Sequence, residues 1–369
     1  MKNTEKIDLR QLTLPELEAW IAGRGLPAYR YRQIARWIYD KGAESFDTMT
    51  DLPLVLREEL ATASEIRALP VVTRLDSRVD RSSKFLFRLG DGTSVESVLM
   101  PMEKRVTLCI SSQVGCTLDC VFCQTGLMGF QRNLGSHEIV GQVVSLWREI
   151  RDDRKRTNIV FMGMGEPLHN VPSVVAACRT LIDPLALNLS GKRITVSTSG
   201  VLPGIRKLAE SGLGVRLAVS LNATTQSQRE QLMPRAAKTP LPELIDAARE
   251  YANRFRERVT MEYVLIRDRN DSLEDADRLA RLLRGGPFKI NVIPYNPGAG
   301  PELARPDVER VDAFARRLHP NAPVVTVRWS MGPDIAAACG QLRVDVEGEG
   351  RRPGGKGPRT APSESPRGT

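Results

Sequence analysis

The stretch that decides the fold is Thr107–Thr125, TLCISSQVGCTLDCVFCQT, which carries four of the six cysteines in a 369-residue chain. Three of them, Cys116, Cys120 and Cys123, follow the spacing C-x3-C-x2-C, and Cys109 lies just upstream. In a reducing compartment, clustered cysteines more often bind metal or carry out catalysis than form disulfides. The spacing therefore indicates a metal centre directly after a β-rich run.

Three thiolates can hold a [4Fe–4S] cluster and leave one of its four irons without a protein ligand. That open iron can bind S-adenosylmethionine, and an electron from the cluster can then cleave the sulfonium to a 5′-deoxyadenosyl radical. The aromatic Phe122 before Cys123 completes a pattern that resembles the signature of the radical S-adenosylmethionine superfamily. The alternative is structural zinc with Cys109 as fourth ligand, but structural zinc prefers paired C-x2-C units, and the chain has one such pair.

Downstream of the cysteines, short β-rich runs alternate with helical stretches, in the order NIVFM, RITVS, VRLAVSL, VTMEYVL, KINVI and VVTVRW. Alternation at this spacing predicts an α/β fold of parallel strands joined by crossover helices. About six units would form a partial or complete barrel, or an open doubly wound sheet. In each case ligands bind at the carboxyl ends of the strands.

The rest of the chain divides by composition into an N-terminal, a connecting and a C-terminal part. Apolar spacing predicts helices over residues 1–75, the last of them with Asp51 as N-cap and Pro53 in its first turn. KFLFRL and SVESVLM flank the turn signal GDG, which predicts a β-hairpin within residues 76–101. Residues 102–345 form the core, and the Gly-, Pro- and Arg-rich residues 346–369 are predicted to be a disordered tail.

Small and polar residues follow the predicted strands and are candidates for binding the cofactor. The loop after NIVFM contains a Gly-Glu pair, and an ammonium group of a ligand could donate to the glutamate. Hydroxyl and amide side chains at the next strand ends suit ribose and carboxylate contacts, although each alone is typical of a turn or helix cap. These candidates are Gly165, Glu166, Ser197, Ser220, Leu221, Asn222 and Asn296.

The charge of the chain indicates a polyanionic partner. The formal net charge is +9, and no acidic residue interrupts the segment Arg24–Arg36, which contains four arginines and two tyrosines. Arginines bind phosphates and tyrosines stack on unpaired bases, so we expect this segment to bind nucleic acid. No apolar run reaches the length of a membrane helix and the N-terminus carries no apolar signal segment, so we expect a cytoplasmic protein.

Several segments together resemble one family, the radical S-adenosylmethionine methyltransferases of adenine C2 in 23S ribosomal RNA and tRNA. They are VESVLMP, TLCISSQVGCTLDCVFCQTG, GFQRNL, NIVFMGMGEPL, STSG, NVIPYNP and ACGQL. The resemblance implies a partial (βα)6 TIM-like barrel with one [4Fe–4S] cluster on Cys116, Cys120 and Cys123, and two molecules of S-adenosylmethionine per turnover. It also implies that Cys339 is methylated first and transfers its carbon to the adenine, that Glu96 takes the C2 proton, and that Cys109 releases the product through a transient disulfide with Cys339.

The same resemblance names the partners. It implies 23S rRNA at the peptidyl-transferase centre and the adenine 3′ of the anticodon in tRNAs as substrates. An electron donor such as flavodoxin with its reductase would feed the cluster of a monomeric enzyme that has no membrane association. Two departures from the family pattern are Asn222 in SLN, where a histidine is usual, and Arg343, where a small residue is usual.

Three alternatives stay open from the sequence. A related resistance enzyme that methylates adenine C8 shares the cluster and both cysteines. A non-catalytic RNA-binding protein with a zinc or relic site would have no need of Cys109, Cys339 and Glu96. A radical enzyme acting on a small metabolite would not need the second cysteine pair.

Overall fold

The N-terminal part of the chain forms three helices, as predicted. The computed structural model describes residues 6–150, 154–300, 302–319, 322 and 324–344. Helix α1 (Leu14–Ala22) begins with a capping box in which Thr13 and Glu16 each bind the other's backbone N–H. Helices α2 (Ala28–Tyr39) and α3 (Leu54–Ala63) follow, and the two-residue strands β1 (Ile7–Asp8) and β2 (Ser64–Glu65) pair beside them.

One detail of this part was predicted wrongly. The N-cap of α3 is Pro53, not Asp51. The Asp51 carboxylate instead accepts a hydrogen bond of 2.6 Å from the indole Nε1 of Trp37. The aspartate therefore fastens α2 to the turn before α3, a tertiary contact that the local sequence does not reveal.

The core is built on parallel strands within a sheet of ten strands among the described residues. In spatial order, β6 and then β9 to β14 are parallel neighbours. Their bounds are β6 (Arg105–Cys109), β9 (Thr157–Phe161), β10 (Ile194–Thr198), β11 (Arg216–Ser220), β12 (Val259–Leu265), β13 (Phe288–Pro294) and β14 (Val324–Val327). Because the strand order is linear and the two ends do not pair, the predicted partial barrel is confirmed.

Helices connect successive parallel strands, as expected for crossover units. They are α5 (Ser136–Glu149), α6 (Val171–Ile182), α7 (Leu202–Glu210), α8 (Gln226–Leu232), α9 (Leu241–Phe255), α10 (Leu273–Leu283) and α11 (Val308–Leu318). The residues between sheet and helices are almost all apolar and buried, so one hydrophobic core extends through the barrel and into the N-terminal helices. A second, smaller cluster packs around the cysteine loop.

The predicted hairpin is present and continues the barrel sheet. Strand β4 (Ser83–Arg88) pairs antiparallel with β5 (Ser94–Met102), β5 pairs with β6, and β3 (Val71–Asp76) forms the exposed edge. The hairpin is therefore attached directly to the first strand of the core. The boundaries at residues 75 and 101 stay predictions, and the predicted tail lies outside the described residues.

The cysteine loop is closed by a small ladder of its own. Strand β7 (Gln113–Gly115) pairs antiparallel with β8 (Phe130–Asn133), and the short helix α4 (Gln124–Leu127) follows Cys123. Gly115 has φ +72°, and a side chain there would collide with the carbonyl oxygen of Gly129. The two ends of the loop can approach this closely only because position 115 is glycine. Across the described ranges, no helix combines the length and apolarity that membrane crossing requires.

Candidate active site

A cleft at the carboxyl ends of the parallel strands brings together most of the predicted site residues. Its empty space, which is open to solvent, amounts to about 990 Å³, and small-molecule sites span roughly 300–1,000 Å³. Cys116, Cys120 and Cys123 line one side of it. The other predicted residues that line it are Gly165, Glu166, Ser197, Ser220, Asn222, Asn296 and Cys339.

The three loop cysteines are buried or half-buried thiols whose ionisation is costly without a cation. Burial raises the pKa of Cys116 to about 12 and raises the pKa values of Cys120 and Cys123 as well. A bound iron cluster compensates this cost, because a coordinating thiol is deprotonated by the positive charge of the metal. The loop therefore fits a cationic group better than it fits three free thiols.

The fourth cysteine of the opening stretch does not join this set. Cys109 is the last residue of β6 and lines a separate small cavity. Within the part of the chain that the structure describes, no three Cys, His, Asp or Glu side chains converge closely enough to hold a single metal ion. A zinc site that uses Cys109 as its fourth ligand has no support in this geometry. Cys116, Cys120 and Cys123 line one cleft without Cys109, and three thiolates can hold a four-iron cluster that keeps one iron open.

The Gly-Glu loop is held against the cysteine loop by Gln113. The Gln113 side-chain carbonyl accepts a 2.9 Å hydrogen bond from the backbone N–H of Glu166. Gly165 has φ +100°, and a side chain at this position would strike the side chain of Gln113. Sequence reasoning missed Gln113, although it lies three residues before the first cluster cysteine.

Glu166 is buried and lies between two strand ends. Its carboxylate accepts hydrogen bonds from the N–H groups of Leu168 at 2.9 Å and Ser199 at 2.8 Å. Burial raises the pKa of this carboxyl, and the two N–H donors oppose that shift. An ionised carboxylate has about four acceptor sites, so Glu166 can still accept from a ligand's ammonium group.

The SLN motif after β11 divides between the cleft and the core. Ser220 and Asn222 line the cleft, whereas Leu221 is fully buried and is not one of the lining residues. Asn222 has φ +57°, and its side-chain oxygen accepts a 2.9 Å bond from the N–H of Val264. An asparagine tolerates this left-handed backbone. The departure at position 222 therefore puts an amide that links two strands in the place where a histidine is usual.

A fully buried arginine, Arg229 on α8, connects the strand-end motifs. Its guanidinium donates to the carbonyl oxygens of Ser199 and, at 2.7 Å, Leu221. Burial lowers the pKa of Arg229 to about 10. Sequence reasoning missed this residue because nothing in the helix QSQREQL marks it as buried.

The segment that carries Cys339, residues 332–343, lines the cleft through Cys339 and Gly340 and is held by hydrogen bonds from the core. The Asn296 side-chain N–H2 donates to the Cys339 carbonyl at 3.2 Å and to the Ser330 hydroxyl at 2.8 Å. The N–H of Gln124, next to the last cluster cysteine, donates to the Gly340 carbonyl at 2.7 Å. Asn296 thus contacts the backbone of Cys339 as well as lining the cleft.

Cys109 and Cys339 line a second, smaller cavity of about 450 Å³ together with Arg328. Burial raises the pKa of Cys109 to about 12 and raises the pKa of Cys339, whose shift the positive charge of Arg328 opposes. All six cysteines are free, so the disulfide implied by the resemblance is not formed here. The two cysteines line the same cavity without being bonded to each other.

Two carboxylates complete the surroundings. Glu96 on β5 is buried, and its side chain bonds to Lys84 and to the backbone of Arg343 rather than lining the main cleft. Glu262 on β12 does line the cleft, and sequence reasoning missed it. One of its oxygens accepts from Asn291 at 3.0 Å, and the other is buried with no hydrogen-bond partner. A buried polar atom without a partner beside a cleft indicates where a ligand donor can bind.

With this geometry in place, comparison with known proteins gives the family. A family model described as "Radical SAM superfamily" matches residues 110–283, and one described as "Ribosomal RNA large subunit methyltransferase N-terminal domain" matches residues 7–66. The dual-specificity RNA methyltransferase RlmN of Geobacter sulfurreducens is 45% identical over 359 residues, covering 97% of this chain and 98% of the relative. The chain belongs to the RlmN family.

Other similar proteins are also methyltransferases of this kind. The RlmN of an Anaeromyxobacter species is 48% identical over 353 residues, covering 94% of this chain and 93% of the relative. A crystal structure of a radical SAM methyltransferase from Sphaerobacter thermophilus superposes with a TM-score of 0.87 at 45% identity, covering 91% of this chain and 99% of that one. The family is one of radical S-adenosylmethionine RNA methyltransferases, which implies a [4Fe–4S] cluster and S-adenosylmethionine as cofactors.

Proposed function

We propose that this family member methylates C2 of a specific adenine in the peptidyl-transferase centre of 23S rRNA and C2 of the adenine 3′ of the anticodon in tRNAs. The observation that carries the proposal is Cys339, a cysteine outside the cluster motif. It lines both the cleft of the cluster cysteines and the small cavity of Cys109. A radical enzyme that does not build a carbon bridge through a protein thiol has no use for this pair.

The first half of the proposed reaction belongs to Cys339. Its thiol loses a proton and takes a methyl group from one S-adenosylmethionine, which leaves as S-adenosylhomocysteine. Arg328 stabilises the thiolate, because its positive charge opposes the effect of burial on the Cys339 pKa. Covalent catalysis of this kind divides one difficult transfer into two feasible ones.

The cluster and a second S-adenosylmethionine supply a 5′-deoxyadenosyl radical when they are bound. We expect Cys116, Cys120 and Cys123 to hold the cluster. Glu166, Ser197, Ser220, Asn222 and Asn296 would orient S-adenosylmethionine, with Gly165 allowing its close approach. The unpartnered oxygen of Glu262 is a further acceptor for one of its hydroxyl or amino groups. These residues surround one cleft, so a radical formed there would lie beside the methyl group on Cys339.

In the second half, the methyl group on Cys339 loses a hydrogen atom, and its carbon bonds to adenine C2. The adduct must then lose one electron, for which a bound cluster would be the acceptor, and the C2 proton, which Glu96 takes. Cys109 as thiolate attacks the sulfur of Cys339, the sulfur–carbon bond breaks, and the released carbon takes a proton to become the methyl group. The resulting Cys109–Cys339 disulfide is reduced by exchange with an external thiol.

The RNA surface is proposed on the exposed side of α2. Arg24, Arg32 and Arg36 are exposed, and Tyr29 is 54% exposed. Tyr31, which the sequence also suggested for stacking on bases, is buried in the N-terminal core and does not reach the surface. A target adenine would have to turn out of its stack to reach the half-buried Cys339 in the cleft.

Substituting both Arg32 and Arg36 by alanine is expected to weaken RNA binding. The slope of log Kd against the logarithm of salt concentration should fall by about 2, because each lost phosphate contact removes about one released counterion. Methylation of Cys339, which needs no RNA, should be unchanged. The matched control replaces Arg281 and Arg284, both exposed near the end of α10. Titration of labelled RNA at several salt concentrations measures the effect, and equal loss in both double variants would contradict a local surface on α2.

The test of the proposed function is nucleoside analysis of RNA after reaction. Anaerobic protein with a reductant, S-adenosylmethionine and unmethylated 23S rRNA or tRNA should yield 2-methyladenosine. The C8 isomer as product would identify the related resistance activity instead. Colourless protein with no methylated nucleoside would leave only an RNA-binding role.

We also propose a cytoplasmic monomer that receives electrons from a donor such as flavodoxin and its reductase.

A further inference from the structure

Lys84 and Glu96 form a buried ion pair behind the Cys339 segment. Lys84 Nζ lies 3.0 Å from Glu96 Oε1, and the two side chains are 11% and 6% exposed. A buried lysine and glutamate are unusual unless they pair, since taking either charge out of water is costly. No motif of the sequence marks Lys84, and the resemblance assigns it no role.

The strand register explains how the two side chains meet. Lys84 lies opposite Val98, and Val98 lies opposite Cys109. Glu96 is two residues from Val98, so its side chain points to the same face of the sheet. Lys84 and Glu96 are therefore diagonal neighbours across the β4–β5 ladder. The same sheet face carries the proposed base Glu96 and the proposed resolving cysteine Cys109.

Both members of the pair also contact the Cys339 segment, on opposite sides of the cysteine. Lys84 Nζ donates to the carbonyl oxygen of Ala336 at 3.4 Å, three residues before Cys339. The N–H of Arg343, four residues after it, donates to Glu96 Oε2 at 2.9 Å. The pair thus links the base to the segment that would carry the methylene bridge.

We propose that Lys84 is a positioning residue: it keeps Glu96 ionised and fixes the position of Glu96 relative to the Cys339 segment, so that Glu96 can remove the C2 proton. This inference rests on the proposed function and assigns Lys84 to the second half of the reaction alone. With Lys84 present, Glu96 keeps its charge in a buried place and can accept a proton. Without Lys84 the buried carboxylate loses this ion pair, which shifts the balance toward its neutral form.

The Cys339 segment has anchors besides Lys84. The Asp334 carboxylate accepts from the Ser77 hydroxyl at 2.7 Å and from the Arg78 N–H at 2.9 Å. The Asp80 carboxylate accepts from the Gly332 N–H at 2.6 Å. The turn between β3 and β4 therefore anchors the segment separately. Loss of Lys84 should leave Cys339 able to accept its first methyl group.

The experiment compares K84M, K84R and E96Q with wild type and with the exposed control K104M, and follows three quantities. They are methylation of Cys339, by peptide mass; covalent protein–RNA adduct, on a denaturing gel with labelled RNA; and free methylated adenosine. In K84M we expect Cys339 methylation within about twofold of wild type, free product lowered about 100-fold, and adduct accumulating as in E96Q, since a positioned base contributes roughly 10²–10⁴-fold. K84R should recover at least about tenfold of the product because it keeps the charge.

Equal losses of Cys339 methylation and product in K84M, without adduct, would overturn the proposal and leave Lys84 a structural residue. A yield of methylated adenosine from K84R that is no higher than the yield from K84M would also overturn the proposal. If K84M is too unstable to purify, we expect the same results from K84Q. The double variant K84M/E96Q, in which both side chains are neutral, should accumulate the adduct as E96Q alone does. Failure of the proposed function would be seen in a different measurement, because the wild-type enzyme would then form no 2-methyladenosine. Full product from E96Q would remove Glu96 as the base.

Discussion

Replacing Cys339 by alanine is expected to abolish RNA methylation and to leave the iron cluster in place. The cluster cysteines are on another loop, which bonds to the backbone carbonyls of Gly340 and Leu342 rather than to the Cys339 side chain. The variant should therefore contain iron and cleave S-adenosylmethionine under reduction, yet form no methylated adenosine. Iron content, 5′-deoxyadenosine and methylated nucleoside are measured on one preparation.

Cys178→Ala is the matched control for this experiment. Cys178 is fully buried in α6, away from the cleft. Its loss should lower stability slightly and leave product formation close to wild type. Residual methylation by C339A would show that the methyl group reaches the adenine without this sulfur and would refute the bridging role.

Replacing Cys109 by alanine is expected to trap the RNA on the protein. Cys109 is needed only after the carbon bridge between Cys339 and adenine C2 has formed, because it supplies the sulfur that replaces the bridge. In the variant the bridge has no thiol to displace it. RNA should therefore remain attached through denaturation, with almost no free 2-methyladenosine.

The attachment must depend on the second cysteine as well. C109A/C339A should give no adduct, and C109A incubated without reductant should give none either. If C109A instead releases product at the wild-type rate, another group resolves the bridge and the small cavity shared by the two cysteines has a different purpose. Cys109 is a free thiol in this structure, which is the form that it must have before it attacks the sulfur of the bridge.

The barrel and the position of the cysteine loop could be predicted from local pattern alone. Buried parallel strands are short apolar runs, and crossover helices repeat between them, so the order of elements is visible in sequence. The cluster spacing is likewise a local feature. Asp51 was predicted wrongly because a cap and a tertiary hydrogen bond to Trp37 use the same carboxylate, and only packing decides between them.

The residues that support the site could not be predicted in the same way. Gln113, Arg229 and Glu262 act through partners on other elements, 53 residues away in the contact of Gln113 with Glu166. Lys84 lies in a strand that reads as an ordinary half-buried ladder, KFLFR. Its partner Glu96 is adjacent only after the hairpin forms. Such pairs depend on register, which is fixed by the turn and by both neighbouring strands.

The most direct test of the account is the mass of the peptide containing Cys339, taken from protein purified without oxygen from cells that supply S-adenosylmethionine. We expect a methyl group on the Cys339 sulfur in a brown, iron-loaded protein. We also expect that carbon to be transferred to C2 of adenine when RNA and reductant are added. An unmodified Cys339 in a cluster-loaded protein that has been incubated with S-adenosylmethionine would contradict the central claim.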